Sequence, residues 1–351
     1  MDRREFIKNT TLGACAFCLG CNDFLAAKEG IEKNSFVYKN KSELPKNIDL
    51  DPCSICQLKC PECWRVTNPN EYSLGVMEFK NFKKLLDDNK FEHIDLSARG
   101  EIFLNPELGE FIKYSKEKDV LLTAHGGVNG NYIPDEIAEL LVKKEFQGLS
   151  FSIDGATNDV YKIYRVGGNI DRVFENIRKI NFYKKKYRSD FPQLTYKFIL
   201  FGHNEHEIPL AKELAKDLDM QIIFRVNYNP NYSPVINKKK VFEQTGVQYF
   251  DPYEQFVADY KSGKDSWFYC ISLWKNPLIL FDGTLCGCCM ANNLNSFSKL
   301  NVFEIGFLNA MNDPKIVRAK KSIKYGLKPK SPCDKCSVYP FIEKHKIKSI
   351  I

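Results

Sequence analysis

The sequence predicts an α/β protein, a partial (β/α)6 barrel followed by a small, cysteine-rich α+β domain. Strand-like and helix-like segments alternate from about residue 46 to residue 230. This alternation is typical of βαβ units around a parallel sheet. Beyond residue 240 the periodicity weakens and the chain becomes rich in cysteine. Hydrophobic residues make up 44% of the 351 residues, enough to bury a substantial core.

The alternating region contains enough predicted strands for a barrel that is not fully closed. The predicted strands are Asn47–Asp51, His93–Ser97, Val120–Ala124, Leu149–Ile153, Leu194–Phe201 and Gln221–Val226. The predicted helices between them are Phe79–Asp88, Leu108–Lys118, Asp135–Lys143, Ile170–Lys186 and Ile208–Leu218. In barrels of this kind the chemistry lies on the loops that follow the carboxyl ends of the strands. Polar motifs follow five of the predicted strands, so we expect them to converge.

Three domains are predicted: an N-terminal segment (1–45), the barrel core (46–240) and the cysteine-rich C-terminal domain (241–351). The first segment contains Arg3 and Arg4, followed by Phe6 and Lys8, which resembles a twin-arginine export signal. The chemistry proposed below needs a strong reductant, which the cytoplasm supplies most easily. We therefore predict a cytoplasmic protein, with twin-arginine export as the alternative.

Charge and hydropathy argue against nucleic-acid binding and against a membrane-spanning helix. The net charge is +7, but basic and acidic residues are mixed, and the densest basic runs, 184–188 and 238–240, are typical of solvated surfaces. No nucleic-acid-binding module accompanies them. No apolar run approaches the ~20 residues that span a bilayer as a helix. We predict neither nucleic-acid binding nor a membrane span.

Cysteine is the most informative residue type, with 13 copies in clusters. A disulfide framework belongs to small secreted domains, whereas tight cysteine spacing in a long chain indicates metal. Cys56, Cys60 and Cys63 lie on one predicted loop, and three thiolates on one loop suit a four-iron cluster with one open iron. Cys53 offers a fourth ligand, which leaves a closed zinc site as an alternative for this loop.

The segment from Cys56 to Trp64 resembles the opening motif of the radical S-adenosylmethionine (SAM) superfamily. Glu62 departs from that motif, where an aromatic or large apolar residue is common. The resemblance implies a [4Fe-4S] cluster whose open iron binds the amino and carboxylate groups of SAM. One electron from the cluster then cleaves SAM into methionine and a 5′-deoxyadenosyl radical, which abstracts hydrogen from a substrate.

Further segments continue the resemblance and imply SAM contacts. Gly100 and Glu101 look like the family's Gly-Glu segment, in which a carboxylate meets the SAM ammonium group. Ser152 and Asp154 resemble a Ser-Asp segment that contacts SAM, although an ordinary Asp-Gly turn is an alternative. Arg165 is then a candidate for the SAM carboxylate. Weaker candidates for ribose or adenine contacts are Asn204, Glu207, Arg225 and Asn227.

The C-terminal cysteines resemble the auxiliary-cluster module of this superfamily, called SPASM or, in its shorter form, twitch. The resemblance implies a second [4Fe-4S] cluster, with a structural zinc site as the alternative. The implied ligands are Cys270, Cys288, Cys333 and Cys336. Either Cys286 or Cys289 is able to replace Cys288. The role of the N-terminal Cys15, Cys18 and Cys21 is left open.

The sequence therefore predicts a radical SAM oxidoreductase or maturase with one auxiliary cluster. The resemblance implies a low-potential electron donor of the flavodoxin or ferredoxin type. It also implies a peptide, protein or small-molecule substrate without choosing among them. The alternative functions are a non-catalytic iron–sulfur electron carrier and a zinc-binding interaction protein.

Overall fold

The computed structural model describes residues 36–71, 73–251, 271–288 and 300–325, together with residues 254, 257, 258, 261, 327, 328, 330, 333–336 and 339. The twin-arginine motif and five cysteines of the sequence analysis lie outside these residues. Those cysteines are Cys15, Cys18, Cys21, Cys270 and Cys289. Every structural statement below refers to the described part of the chain.

The core of the protein is a seven-stranded sheet in which every neighbouring pair of strands is parallel. The strands are β1 (Asn47–Leu50), β2 (His93–Asp95), β3 (Leu121–Val128), β4 (Gly148–Ser152), β5 (Gln193–Leu200), β6 (Gln221–Val226) and β7 (Leu278–Ile279). Their order is β6-β5-β4-β3-β2-β1-β7. The first six strands follow one another across the sheet as in a partial barrel, so the predicted fold class is confirmed.

Helices join the strands and cover one face of the sheet. They are α1 (Trp64–Thr67), α2 (Phe79–Asp88), α3 (Leu108–Glu117), α4 (Asp135–Lys143), α5 (Asn158–Tyr164), α6 (Ile170–Tyr187), α7 (Ile208–Asp217), α8 (Lys238–Thr245), α9 (Val302–Ile305), α10 (Phe307–Met311) and α11 (Pro314–Tyr325). The five predicted helices are confirmed, and α2 and α4 have the predicted bounds. Of the helices in the described ranges, none is long and apolar enough to cross a membrane.

The C-terminal region adds to the core sheet, which the sequence did not predict. Leu278 and Ile279 of β7 pair with Asp49 and Leu50 of β1. The strand lies beyond residue 240, in the region assigned to the cysteine-rich domain. The domain division at residue 240 stays a prediction, and β7 shows that the two regions share one sheet.

The two faces of the sheet differ in chemistry. Tyr196 of β5 contacts Phe174 of α6, so alternate residues such as Lys197 point to the opposite side. Likewise, Phe224 of β6 lies beneath the Lys212 ammonium group of α7. The face away from the helices is called the inner face here. Its side chains include Asp95, Thr123, His125, Ser150, Ser152, Thr195, Lys197 and Arg225.

Candidate active site

The cysteine loop (residues 51–63) follows β1 at the carboxyl end of the sheet and leads into α1. Contacts with later loops hold it in place. The backbone N–H of Lys59 donates a 2.9 Å hydrogen bond to the carbonyl oxygen of Val166. The side-chain amide of Asn229 donates to Glu62 at 2.7 Å. The loop is therefore fixed from the segments after α5 and after β6, which meet it as the strand-end rule predicts.

Two of the three candidate cluster ligands receive hydrogen bonds from neighbouring side chains. Asn129 Nδ2 donates to Cys56 Sγ at 3.4 Å. Arg165 Nη1 donates to Cys60 Sγ at 3.7 Å. Burial raises the pKa of both thiols, while these N–H donors favour the thiolate form that binds metal. Cys63 is partly buried directly before α1.

The cysteine side chains of the loop are not gathered around one point in the described structure. Across the described residues, no group of three or more His, Cys, Asp or Glu side chains is arranged to bind one metal ion. A cubane cluster places each thiolate on a different iron, so its ligands need not converge on one point. The cluster implied by the resemblance, with Cys56, Cys60 and Cys63 as its ligands, stays a prediction.

Cys53 is set apart from the other three cysteines of the loop. Its side chain is 1% exposed, and its Sγ donates to the carbonyl oxygen of Ile55 at 3.6 Å. Cys53 also forms an antiparallel bridge with Val76. Burial raises the pKa of the Cys53 thiol to about 12, as it does for the candidate ligand Cys333. The burial of Cys53 and its hydrogen bond to Ile55 support the interpretation that Cys53 is not a cluster ligand.

Gly100 brings the segment after β2 into direct contact with the cysteine loop. A Cβ atom on residue 100 would lie 2.4 Å from the carbonyl oxygen of Cys53 and 2.5 Å from that of Ile55. The next residue donates its backbone N–H to the same Ile55 oxygen at 2.8 Å. Asp51 accepts hydrogen bonds from the backbone N–H groups of Cys53 and Gly100. Glycine is required here because no larger residue fits.

Glu101 is a buried carboxylate beside this junction, 1% exposed. Its Oε2 accepts the backbone N–H of Asn129 at 2.6 Å, and its Oε1 accepts that of Phe103 at 3.5 Å. Burial raises the pKa of Glu101 to about 7, against the opposing effect of these N–H donors. A positively charged ligand placed here would restore the charged form, so the site suits an ammonium group.

Asn129 is a functional candidate that the sequence analysis missed. Its backbone binds Glu101, while its side chain binds both Cys56 and the side-chain amide of Gln57, the latter at 3.1 Å. It thereby joins the carboxylate to the cysteine loop. Asn129 could have been found from its position one residue after β3, because functional polar residues in this fold lie at the carboxyl ends of strands.

Asp154 and Arg165 form a buried ion pair beside the cysteine loop. Asp154 adopts a left-handed conformation with φ +55° just beyond β4. Its Oδ1 accepts the backbone N–H of Ile199 at 2.7 Å. Arg165 thus lies between the Asp154 carboxylate and Cys60. Ser152, at the end of β4, faces the inner side near Gly127.

The amide of Asn204 is used within the protein. It donates to the carbonyl oxygens of Asp154 at 3.0 Å and Ile199 at 2.8 Å, and it accepts the backbone N–H of Phe201 at 2.8 Å. Its side chain is fully buried. This placement suits a residue that shapes the strand-end loops, and it does not support a direct contact with SAM.

Glu207 has a similar structural role. Its carboxylate accepts the backbone N–H of Ala156 at 2.6 Å and also binds the backbone and hydroxyl of Thr157. Thr157 in turn accepts the backbone N–H of Val160 at the start of α5. Glu207 therefore fixes the turn between β4 and α5 rather than facing a ligand.

Arg225 and Asn227 lie at the end of β6. Asn227 Nδ2 donates to the carbonyl oxygens of Asn229 at 2.6 Å and Tyr232 at 3.1 Å, which orders the loop that contacts Glu62. A cavity of 330 Å³ lies beside the ends of β5 and β6, with Asn227 and Tyr232 among its lining residues. Arg225 points to the inner face, beside Lys197 of β5.

The described C-terminal cysteines fall into two environments. Cys286 is 2% exposed and packs with Leu278, Leu280 and Ala98, where it contacts Arg99. In contrast, Cys288 and Cys333 pack against the main core. The backbone N–H of Cys336 donates to the carbonyl oxygen of Cys333 at 3.3 Å in a tight turn. Cys270 and Cys289 lie outside the described residues.

Comparison with known proteins agrees with this architecture. Residues 50–213 match the family model of the radical SAM superfamily. That segment begins at the last residue of β1 and extends into α7, so it includes the cysteine loop and the strand-end segments described above. No curated protein matches the sequence.

Solved structures of low sequence identity share the fold. Streptococcus suis SuiB bound to S-adenosylmethionine has a TM-score of 0.60 at 14% identity, covering 86% of this chain and 72% of that chain. SuiB bound to the precursor peptide SuiA gives the same score and identity, over 86% and 71%. Native anSMEcpe with bound AdoMet has a TM-score of 0.52 at 15% identity, over 85% and 88%.

The fold, the cysteine loop and the family match together define the class of protein. Residues 50–213 of the chain are a radical SAM domain. Enzymes of this superfamily use a [4Fe-4S] cluster and S-adenosylmethionine.

Proposed function

We propose that this protein is a radical SAM enzyme, and that it abstracts hydrogen from a peptide, protein or small molecule at the carboxyl end of the sheet. Cys56, Cys60 and Cys63 would bind the first cluster, which supplies the electron that cleaves SAM. The observation that carries the proposal is the position of Glu101. Its buried carboxylate follows Gly100, which lies against the cysteine loop. An electron carrier without substrate has no need of such a carboxylate.

The residues around the loop have complementary roles in holding SAM. Glu101 would bind the ammonium group, because a buried carboxylate is stabilised by an opposite charge. Arg165 would bind the carboxylate while keeping its hydrogen bond to Cys60. Asp154 fixes the Arg165 guanidinium by their ion pair. Ser152, Arg225 and Asn227 remain candidates for further contacts, and Asn204 and Glu207 shape the loops that carry them.

A second, auxiliary [4Fe-4S] cluster is proposed in the C-terminal domain, with Cys270, Cys288, Cys333 and Cys336 as ligands. The burial of Cys286 among Leu278, Leu280 and Ala98 favours Cys288 as the ligand. Such a cluster would accept an electron from the oxidised substrate radical or bind the substrate. The domain boundaries at residues 45 and 240 are part of this proposal.

The partners follow from the chemistry. We propose a flavodoxin or ferredoxin as reductant, and a cytoplasmic location where such donors are available. Export by the twin-arginine pathway is the alternative, and a mature N-terminus recovered from the periplasm would establish it. That SuiB has been solved with a precursor peptide supports including peptides among the candidate substrates.

The test is anaerobic reconstitution followed by chemical reduction in the presence of SAM. The wild type should contain about eight irons per chain, four for each cubane, and release 5′-deoxyadenosine. The triple variant C56A/C60A/C63A should lose about half of the iron and all SAM cleavage. The double variant C288A/C333A should also lose about half of the iron but retain SAM cleavage.

The alternatives give different results in the same experiment. A non-catalytic electron carrier would bind iron but never cleave SAM. A zinc-binding protein would contain zinc in place of iron. Retention of SAM cleavage by the triple variant would contradict the assignment of the first cluster. If C286A loses the second cluster and C288A keeps it, the proposed auxiliary ligand set is wrong.

A further inference from the structure

Four ring side chains form a wall beside the cysteine loop, at the carboxyl ends of β5 and β6. This aromatic wall consists of Tyr164, Phe201, His203 and Tyr232. Its inner members, Tyr164 and Phe201, are buried, and their ring centres lie 4.6 Å apart. They share an apolar cluster with Cys60, and Cys56 and Cys63 pack against the same cluster. The wall therefore contacts all three candidate ligands of the first cluster.

The wall also reaches partly exposed positions. The Phe201 ring stacks on the His203 ring, with centres 4.9 Å apart. Tyr232 meets Phe201 edge-on at 5.8 Å. His203 and Tyr232 are both half-buried. A short series of packed rings thus connects the thiols of the cysteine loop with the surface of the protein.

Ile236 lies over the outer end of the wall. A Cβ atom on Gly202, the residue between Phe201 and His203, would lie 3.5 Å from Ile236 Cγ1. The Ile236 side chain is 82% exposed. Its backbone N–H donates to Glu205 Oε2 at 2.8 Å, which holds the residue in place. An apolar side chain this exposed contributes little to the core.

A basic run follows Ile236 directly. Lys238, Lys239 and Lys240 are all exposed and form the first turn of α8. The Asn237 side chain begins this helix by accepting the backbone N–H of Lys240 at 3.1 Å. Cations in a first turn lie at the positive end of the helix dipole, which opposes them. The run therefore lowers the stability of the helix, and an acidic surface bound against it would offset that effect.

We propose that Ile236 and residues 238–240 form the docking surface for the electron donor, a small acidic flavoprotein of the flavodoxin class. This inference rests on the proposed function, because it assigns a surface to the partner of the first cluster. The exposed edge of a flavin is apolar and is surrounded by acidic side chains in such proteins. That edge complements an exposed isoleucine beside three lysines.

The position of the surface suits a one-electron transfer. The reduced flavin loses one electron, and the first cluster gains it across the aromatic wall. The rate of such a transfer falls steeply with distance, so the donor must bind where the cluster ligands lie close to the surface. Electron-transfer partners bind through small interfaces, and a single isoleucine with three lysines is a surface of that size. A ferredoxin offers no flavin edge to Ile236.

The first test measures binding to the full-length protein after anaerobic reconstitution of its clusters. Purified flavodoxin is titrated into it, and a carbodiimide then joins contacting lysines and carboxylates for peptide mass spectrometry. Cross-links should map to residues 238–240. The variant K238E/K239E/K240E should raise the Kd about tenfold or more at low ionic strength. This variant should fold, because glutamate is favoured in the first turn of a helix.

The control variant K90E/K144E/K185E changes the net charge by the same amount. Its three lysines lie at or just after the ends of α2, α4 and α6, at the opposite edge of the sheet. Its Kd should stay within about twofold of the wild-type value. Raising the ionic strength from about 0.01 M to about 1 M shortens the Debye length from about 30 Å to about 3 Å. The effect of the triple variant at 238–240 should then largely disappear, whereas I236S should weaken binding at both ionic strengths.

The second test separates docking from the chemistry of the cluster. Stopped-flow absorption follows reduction of the first cluster by flavodoxin hydroquinone or by sodium dithionite. K238E/K239E/K240E should slow the reaction with flavodoxin about tenfold or more. It should leave the reaction with dithionite unchanged, because a small reductant needs no docking surface.

Three results would overturn the proposal. They are equal weakening by the two triple variants, cross-links that map away from residues 238–240, and tighter binding of a purified ferredoxin than of flavodoxin at this surface. Failure of dithionite to drive SAM cleavage by the wild type would instead contradict the proposed function. The two failures are therefore distinguishable.

Discussion

Gly100 lies so close to Cys53 that a Cβ atom on residue 100 would be 2.4 Å from the Cys53 carbonyl oxygen. The contact is with the backbone, so a side-chain rotation cannot relieve it. It fixes the Gly-Glu segment after β2 against the cysteine loop after β1. The distance between Glu101 and the candidate cluster ligands therefore depends on this glycine.

G100A should displace the cysteine loop or the Glu101 segment. We expect SAM affinity to fall about tenfold or more, equivalent to 1.4 kcal/mol, with some loss of iron. The measurements are SAM binding by equilibrium dialysis and iron content after anaerobic reconstitution. G109A is the matched control, because its Cβ would meet only the ends of the Ile137 and Leu140 side chains, at 3.3 and 3.6 Å. Equal SAM affinity in the two variants would contradict the steric argument.

C53A should retain the first cluster, whereas C63A should lose it. The Cys53 thiol is buried and donates to a carbonyl oxygen within the loop, so its removal should cost only about 1 kcal/mol in free energy of unfolding. The measurement is the EPR spectrum of the reduced protein, recorded before and after SAM addition. If C53A lost the SAM-sensitive signal, Cys53 would be a ligand and the open iron would have to be reassigned.

The strands and helices of the barrel could be predicted because each buries an apolar face at a regular spacing. The helix α2 and the helix α4 were predicted to the residue. The strand β7 was missed because it has two residues, Leu278 and Ile279, and exists through its pairing with β1. The helix α5 was missed because it is short and begins at a turn fixed by the distant Glu207.

Site residues could be predicted from the sequence where a motif lies at the end of a predicted strand, as at Gly100 and Glu101. Residues whose role depends on a contact between distant parts of the chain could not be predicted. Ile236 lies in a loop, and its place over Gly202 becomes visible only in the folded chain. The full use of the Asn204 amide by Asp154 and Ile199 is equally a property of the folded chain.

N129A should make the reduction potential of the first cluster more negative. The Asn129 amide donates to Cys56 Sγ, and a hydrogen bond to a ligand sulfur favours the reduced, more negatively charged cluster. A loss of about 1.4 kcal/mol corresponds to about 60 mV for a one-electron couple. EPR-monitored redox titration measures the shift. N181A is the control, because the Asn181 side-chain amide donates to the carbonyl oxygen of Leu218, away from the cysteine loop. A similar shift in both variants would indicate a general loosening of the loop.

Lys320 of α11 is a lysine whose side chain is buried in the core. It is 0% exposed, and its ammonium nitrogen lies 3.1 Å from the Tyr38 hydroxyl. The same nitrogen lies 4.2 Å from the centre of the Tyr38 ring and 5.9 Å from that of Trp274. Burial lowers the pKa of Lys320 to about 7. The folded protein therefore releases the ammonium proton at a lower pH than the unfolded chain does.

K320M should therefore stabilise the protein at pH 7, by up to about 4 kcal/mol in free energy of unfolding. The lysine pKa is about 7 when folded and about 10.4 when unfolded. Between these values the unfolded chain binds the extra proton, so wild-type stability should rise with pH and the advantage of K320M should shrink. Below pH 7 both states are protonated and the advantage should be largest.

Anaerobic denaturant unfolding at pH 6, 7, 8 and 9 measures the difference between variant and wild type. K321M is the control, because Lys321 is the exposed neighbour of Lys320 on α11, and its replacement should change stability little at any of these pH values. Attraction between the ammonium group and the Tyr38 ring opposes the effect of burial. If K320M is less stable than the wild type at pH 7, that attraction outweighs the cost of burying the charge, and Lys320 is protonated in the folded protein.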